Sequence, residues 1–197
     1  MRAAPMMGRI AEVSPRFKAR MAGVLFLLSL LAAVFGEFLV RRFEIAADLI
    51  AVSGMIAVTL LFYDIFKPVN RGLSLLAASF NLVGLTCGAL RWNPRGVVMP
   101  VVLNGCYCFL IGYLIFQSTF LPRILGALMA IAGLGWLTYL SPPLANHLSP
   151  YNLAFGILGE VSLFLWLLVM GVNVQRWMEQ AGAAGAVIAG RGGHSIQ

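Results

Sequence analysis

Apolar residues in this chain come in long runs that short polar stretches interrupt at regular intervals. Six runs of roughly 20 residues are each long enough for a helix to cross the hydrocarbon core of a bilayer, since a helix rises about 1.5 Å per residue. They cover residues 21–40, 45–66, 72–90, 97–117, 123–141 and 151–173. The pattern therefore predicts six transmembrane helices and an all-α fold.

The stretches between the runs are short, and this constrains how the helices are arranged. RRFE at 41–44 and KPVNR at 67–71 leave room only for tight turns, and prolines stand at or beside most junctions. Helices joined by short links lie antiparallel to one another. We expect a polytopic membrane protein built as a six-helix up-down bundle, in which SPPLANHLSP at 141–150 is the longest connection.

The basic residues divide unequally between the two ends of this bundle. If the N-terminus is cytoplasmic, ten of the 14 Lys and Arg residues fall on the cytoplasmic side. The other four are Arg41, Arg42, Arg91 and Arg95. Because cytoplasmic loops carry the excess of Lys and Arg, both termini are predicted to lie inside, with the bundle in a cytoplasmic membrane.

Three segments follow from this topology. Residues 1–20 are predicted to form a basic cytoplasmic segment, residues 21–175 the transmembrane domain, and the Gly- and Ala-rich residues 176–197 a flexible cytoplasmic tail. The run 21–40 is interpreted as an uncleaved span. Its apolar core exceeds the roughly 7–15 residues of a signal peptide, and no small-residue cleavage pattern follows it.

The composition agrees with the membrane class and excludes others. Of the 197 residues, 60% are hydrophobic and 11% are charged, whereas a soluble domain carries roughly a quarter charged residues. The net charge of +7 does not predict a nucleic-acid partner, because the basic residues stand at segment ends rather than in a patch. Membrane lipids are the partners that the composition predicts.

Neither a cofactor motif nor a metal motif is found in the sequence. Cys87, Cys106 and Cys108 fall in apolar runs and are predicted to be ordinary buried thiols. The predicted spans contain no histidine, which argues against zinc or haem, although carboxylates suit a hard cation. No cofactor and no metal site is predicted.

Four stretches carry a family resemblance: FGEFLVR (35–41), KPVNRGLSLLAASF (67–80), GYLIFQSTFLPRILGALMAIAGLGWL (112–137) and GILGEVSLFLWLLVMGVN (156–173). Together they resemble a bacterial membrane family known only as domain of unknown function 4386. The resemblance implies a bundle of about six helices and no assigned activity. Relatives carry an Arg and a Glu in the third span, where this chain has Asn81 and no charge. That pair is therefore absent or rewired here.

Three carboxyl side chains lie at membrane depth in the predicted outer half. Glu37 stands near the end of the first run and Asp48 near the start of the second. Glu160 follows Tyr151 by nine residues, or about 13 Å of helix, with no cation within one turn. A charged group at such depth costs at least about 2.5 kcal/mol, so it normally faces the bundle interior and serves a function.

Each carboxyl also has a structural interpretation. Glu37 could pair with Arg41 one turn away, and Asp48 could be an acid at a helix start, stabilised by the helix dipole. Glu160 has no such local explanation, and we predict that it meets a partner on another helix. Asp64 is interpreted differently, as one member of a local ion pair with Lys67 at the inner end of the second span.

Polar and aromatic side chains at a similar depth are expected to complete a site. Asn104 and Tyr107 lie three residues apart on one face of the fourth span, and Trp136 and Tyr139 approach the outer end of the fifth. We expect Glu160 to face inward near Asn104 or Tyr107. The predicted catalytic residues are Glu37 and Glu160, and the predicted ligand-binding residues are Asp48, Asn104, Tyr107, Trp136 and Tyr139. Glu160 is expected within about 16 Å of Glu37.

Three functions remain open at this stage. The favoured one is binding of a lipophilic molecule, or acid/base chemistry on it by the logic of a terpene cyclase, in which protonated carboxyls act and aromatic rings stabilise positive charge. A structural or regulatory subunit of a membrane complex is the first alternative. A small proton-coupled transporter is the second.

Overall fold

The computed structural model describes the backbone of residues 14–38 and 41–192, and the side chains of residues 14–33 and 45–184. Every regular element in these ranges is helical, so the all-α prediction is confirmed. The helices are α1 (Pro15–Phe38), α2 (Arg41–Phe66), α3 (Arg71–Ala89), α4 (Met99–Gln117), α5 (Arg123–Leu137), α6 (Pro142–Leu148), α7 (Tyr151–Val169) and α8 (Val174–Gly192).

Five segments of the described chain are long and apolar enough to cross a membrane. They are Ile45–Phe66, Arg71–Ala89, Met99–Gln117, Arg123–Leu140 and Tyr151–Val169. Each corresponds to one of the six apolar runs in the sequence. The chain is therefore a multi-pass membrane protein.

Helix α1 differs from the predicted first span at its start. It begins at Pro15 rather than at residue 21, so Arg16, Lys18 and Arg20 lie in its first two turns. Only residues 15–33 of α1 have described side chains, and these include the three cations, so α1 is not among the five segments found in the described part of the chain. The apolar stretch that follows them reaches the end of the described side chains at Ala33.

The long helices pack in a closed ring. Helices α1 to α5 each pack against the next, and α7 packs against both α5 and α1. The contact that closes the ring includes Phe26 of α1 and Phe164 of α7, whose rings are stacked with centroids 3.6 Å apart. Arg20 of α1 also donates to the Val169 carbonyl of α7 at 3.3 Å. Helices α1 and α7 therefore adjoin, as expected for an up-down bundle.

Glycines bring α4 and α5 into close contact. A Cβ atom on Gly112 would lie 2.8 Å from the carbonyl oxygen of Gly126, and one on Gly133 would lie 2.9 Å from that of Gly105. In a membrane, where lipid is as apolar as a side chain, such close backbone packing is a main source of helix association. Helices α4 and α5 are therefore in direct backbone contact at both pairs of glycines.

A buried polar contact links α2 and α3. Asn81 donates its side-chain amide to the Thr59 hydroxyl at 2.7 Å, and Thr59 donates to the Met55 carbonyl one turn back at 2.7 Å. Asn81 is 3% exposed and Thr59 is fully buried. Asn81 therefore has a structural partner in the span where relatives are implied to carry charges.

Ionic contacts join α1 and α2 at the opposite end from the α1–α2 link. The predicted pair of Asp64 with Lys67 is confirmed, with 3.1 Å between Oδ1 and Nζ. Asp64 also binds Lys18 of α1, with 2.9 Å between Oδ2 and Nζ. The carboxyl therefore bridges two helices rather than stabilising a turn alone.

The C-terminal segment corrects an expectation. The tail predicted to be flexible from residue 176 is helical from Val174 to Gly192, and residues 193–197 lie outside the described part. Alanine-rich sequence favours a helix despite its glycines. The helix start is fixed by Trp177, whose indole N–H donates to the Ile65 carbonyl of α2 at 2.9 Å.

Candidate functional site

Three side chains donate hydrogen bonds to one oxygen of Glu160. Oε1 accepts from the Asn104 amide at 2.7 Å, from the Cys108 thiol at 3.2 Å and from the Trp136 indole N–H at 2.8 Å. The donors come from α4 and α5, whereas Glu160 lies on α7. We call these four residues the Glu160 cluster.

The spacing of residues along the helices brings the three donors to Glu160. Asn104 and Cys108 are four residues apart, so they lie one above the other on one face of α4. Trp136 reaches the same oxygen from α5, which packs between α4 and α7 and contacts both. Because all three bonds join residues 24 to 56 positions apart, the cluster depends on the packed bundle and not on a local turn.

Gly156 makes room for the Trp136 ring. It lies one turn before Glu160 on α7, and a Cβ atom there would collide with the indole ring of Trp136. The ring therefore rests on the α7 backbone, which directs its N–H toward the next turn and Glu160. Gly159 gives α7 a similarly close approach to Leu128 of α5.

Two tyrosines extend the cluster. Tyr107 lies next to Cys108 on α4 and is 4% exposed. Its hydroxyl is buried without a hydrogen-bond partner in the described part of the chain. Tyr139 packs its ring against Trp136, with centroids 6.2 Å apart and planes tilted by 42°. The polar cluster thus has an aromatic side and one unpaired hydroxyl.

The structure gathers some of the predicted site residues and not others. Asn104 and Trp136 bind Glu160 directly. Asp48 is exposed on α2 and is not one of the side chains that bind Glu160. The Glu37 side chain lies outside the described residues, so its distance from Glu160 stays a prediction. The functional role of all these residues also stays a prediction.

Cys108 is the member that sequence reasoning missed. It was predicted to be an ordinary buried thiol, but it donates to Glu160. Its spacing of four residues from Asn104 was the available signal, since any side chain at that position shares the face of Asn104. Cys106, two positions away, points elsewhere and is only partly buried.

The described part of the Glu160 cluster has too few metal-ligating side chains to form a metal site. Among the described residues, no three His, Cys, Asp or Glu side chains come close enough to hold a metal ion. Glu160 and Cys108 supply two such groups at most. The chemistry of this donor set is that of a hydrogen-bonded carboxyl.

The hydrogen bonds divide the two carboxyl oxygens of Glu160 into different roles. An sp² oxygen has two lone pairs, so three donors leave Oε1 no capacity for a further partner. None of the three bonds uses Oε2, and Glu160 as a residue is only partly buried. Any exchange of a proton or hydrogen bond with another molecule would therefore occur at Oε2.

Comparisons with known proteins identify the family of the chain. An uncharacterized protein from Archaeoglobus fulgidus is 28% identical over 127 residues, which cover 59% of this chain and 76% of that protein. No solved structure matches the chain. The family described as Domain of unknown function (DUF4386) matches residues 41–93 and 88–171, a range that includes the whole Glu160 cluster. The chain belongs to this family.

Proposed function

We propose that the protein binds a lipophilic molecule through Glu160, which exchanges a hydrogen bond or a proton with the polar group of that molecule. The observation that carries the proposal is the unequal use of the carboxyl: three donors meet at Oε1 and none of them at Oε2. A carboxyl held in this way has one oxygen fixed by the protein, and its other oxygen is not used by these three donors.

The three donors preorganise the group. Each hydrogen bond to a charged acceptor contributes about 1.5–3 kcal/mol, and a neutral one about 1 kcal/mol. Together they hold Glu160 in one rotamer, so that a ligand meets a carboxyl already oriented. Preorganisation of this kind is what general acid/base catalysis and selective binding require.

The neighbouring side chains suit a ligand that is mostly apolar with one polar group. Trp136 and Tyr139 supply aromatic surface beside the carboxyl. The Tyr107 hydroxyl is a second polar group, and leaving it unpaired in an apolar interior costs about 1–3 kcal/mol. A ligand hydroxyl, amide or carbonyl within reach of both groups would recover part of that cost.

The proposed topology gives the site its place in the membrane. We infer six spans, with α1 as the first, and both chain ends in the cytoplasm of a bacterium, because ten of 14 basic residues then face inward. The Glu160 cluster lies in the outer half in this orientation. A reporter fused after Gln197 should be active only in its cytoplasmic form, and activity of a periplasmic reporter there would invert the topology.

A structural role is the alternative that a specific observation favours. The bonds to Glu160 join α4, α5 and α7, and these helices also approach one another closely through glycines. In this reading the cluster only fixes helix packing, either within the protein or for assembly into a membrane complex. The two readings differ in what happens when the carboxyl becomes an amide.

Native mass spectrometry of mildly purified protein distinguishes the ligand-binding role of Glu160 from a purely structural one. Glu160→Gln keeps the side-chain shape and an oxygen that accepts from Asn104 and Trp136, so it should fold. We expect wild type to carry a lipophilic ligand of defined mass and Glu160→Gln to lose it. Glu179→Gln, the same change at an exposed carboxyl on α8, is the matched control and should keep it. Equal occupancy in all three proteins would refute the proposal.

A further inference from the structure

A second region of the bundle has the features of a binding site. A cavity of about 590 Å³ opens at the end of the bundle opposite the Glu160 cluster, among α1, the α4–α5 link and the α7–α8 link. We call it the basic cavity. Its lining includes Arg16 of α1, Thr119 and Pro122 of the α4–α5 link, Trp166 and Met170 of α7, and Arg176 of α8.

We propose that the basic cavity binds the phosphate group of an anionic membrane lipid. Among the described residues that line it, the charged ones are Arg16 and Arg176, and none is an aspartate or glutamate. Asp64, a carboxyl at the same end, is bound by Lys18 and Lys67. Neither described ion pair includes Arg16 or Arg176, and Glu179, the carboxyl three residues beyond Arg176, lines an adjoining pocket rather than this cavity. Guanidinium groups match the geometry of phosphate oxygens.

Both arginines are held at the cavity wall. Arg176 donates from Nη1 to the Thr119 carbonyl at 3.3 Å, which links α8 to the α4–α5 link. The stem of Arg16 lies over Gly171, where the backbone has φ +70° and a Cβ atom would stand 2.9 Å from Arg16 Cγ. Two cations from opposite ends of the sequence are therefore brought to one opening before any ligand arrives. The starts of α5 and α8 border the same cavity and add positive potential.

The surroundings favour a lipid over a soluble phosphate. The cavity lies where the spans end, with Phe120, Trp166 and Met170 on its walls. Met170 is 54% exposed and the adjacent Val169 is 64% exposed, so an apolar surface leads from the cavity toward the bilayer for acyl chains to follow. Tryptophan is typical of this membrane level, and basic pockets between spans bind lipid head groups.

This inference is independent of the Glu160 proposal and is tested on the full-length protein in mild detergent. Delipidated protein is titrated with phosphatidylglycerol, with phosphatidylcholine or with inorganic phosphate, and adducts are counted by native mass spectrometry. The site variant is Arg16→Gln with Arg176→Gln. The control, Arg71→Gln with Arg95→Gln, removes the same charge from exposed positions that do not line the cavity.

We expect wild type to bind one phosphatidylglycerol more tightly than phosphatidylcholine. The site variant should weaken that adduct about 30-fold, because each arginine near lipid phosphate contributes about fivefold. The control should bind as wild type does. Should the double variant fold poorly, the lysine pair Arg16→Lys with Arg176→Lys keeps the charge and should retain selectivity for phosphatidylglycerol.

Two results would overturn the proposal. An equal loss in the control and the site variant would show that binding follows total charge and not the cavity. Displacement of phosphatidylglycerol by inorganic phosphate would show that a soluble anion, and not a lipid, is the ligand.

Discussion

Trp136 donates its indole N–H to Glu160 Oε1 at 2.8 Å, across the interface between α5 and α7. The same ring rests on Gly156, one turn before Glu160. Packing and hydrogen bonding at this point therefore depend on each other, because the glycine that admits the ring also lets its N–H reach the carboxyl.

Replacing Trp136 by Phe removes the N–H donor and keeps a smaller aromatic ring at the same position. Glu160 would keep two donors, and we expect the free energy of unfolding to fall by about 0.5–2 kcal/mol. Thermal unfolding in detergent measures the change. Trp92→Phe is the control, since Trp92 is 53% exposed, and its effect should be small. A Trp136→Phe protein as stable as this control would show that the bond contributes nothing.

A methyl group on Gly156 tests the packing side of the same contact. Gly156→Ala should displace the Trp136 ring and destabilise the protein by about 1–3 kcal/mol, the usual cost of overpacking. Gly182→Ala on α8 is the matched control, because a Cβ atom there meets nothing within 4 Å. That substitution should be neutral or slightly stabilising, since alanine favours helix. Similar stability of the two variants would contradict the close contact.

The contact of Asn81 with Thr59 is tested by a double-mutant cycle. Asn81→Leu and Thr59→Val each remove one partner of the buried 2.7 Å hydrogen bond. Hydrogen bonds between transmembrane helices contribute about 0.6 kcal/mol on average and up to about 1.7. We expect a coupling energy in this range from unfolding of the two single variants and the double variant. Strict additivity would mean that the contact does not stabilise α2 against α3.

The sequence predicts the spans well because the bilayer demands long apolar runs, and five of these runs form helices that, among the described residues, are long and apolar enough to cross a membrane. It also singles out Glu160, since a lone carboxyl in an apolar run is costly. Asn104 and Trp136 could be predicted as site residues because their positions along the helices place them at a depth in the membrane similar to that of Glu160. For Cys108 the four-residue spacing from Asn104 was the available signal, and it was outweighed because a thiol in an apolar run is usually a core residue.

The helical C-terminal segment shows where composition misleads. Glycine and alanine together are typical of both linkers and helices, so residues 176–192 are ambiguous in isolation. The contact of Trp177 with the Ile65 carbonyl, which spans 112 positions, decides between them. A tertiary contact of this range leaves no periodic signal in the sequence.

The central claim is that Oε2 of Glu160 is available to a molecule within the membrane, and chemical labelling tests it most directly. A hydrophobic carbodiimide reacts with carboxyl groups that it can reach from the apolar phase. The protein is first stripped of bound molecules, reconstituted in vesicles and labelled, and the modified residue is located by peptide mass spectrometry. We predict modification at Glu160 and none at that position in Glu160→Gln. If Glu160 stays unmodified in the folded wild type but reacts in Trp136→Phe, the cluster is a closed helix contact and the binding proposal is wrong.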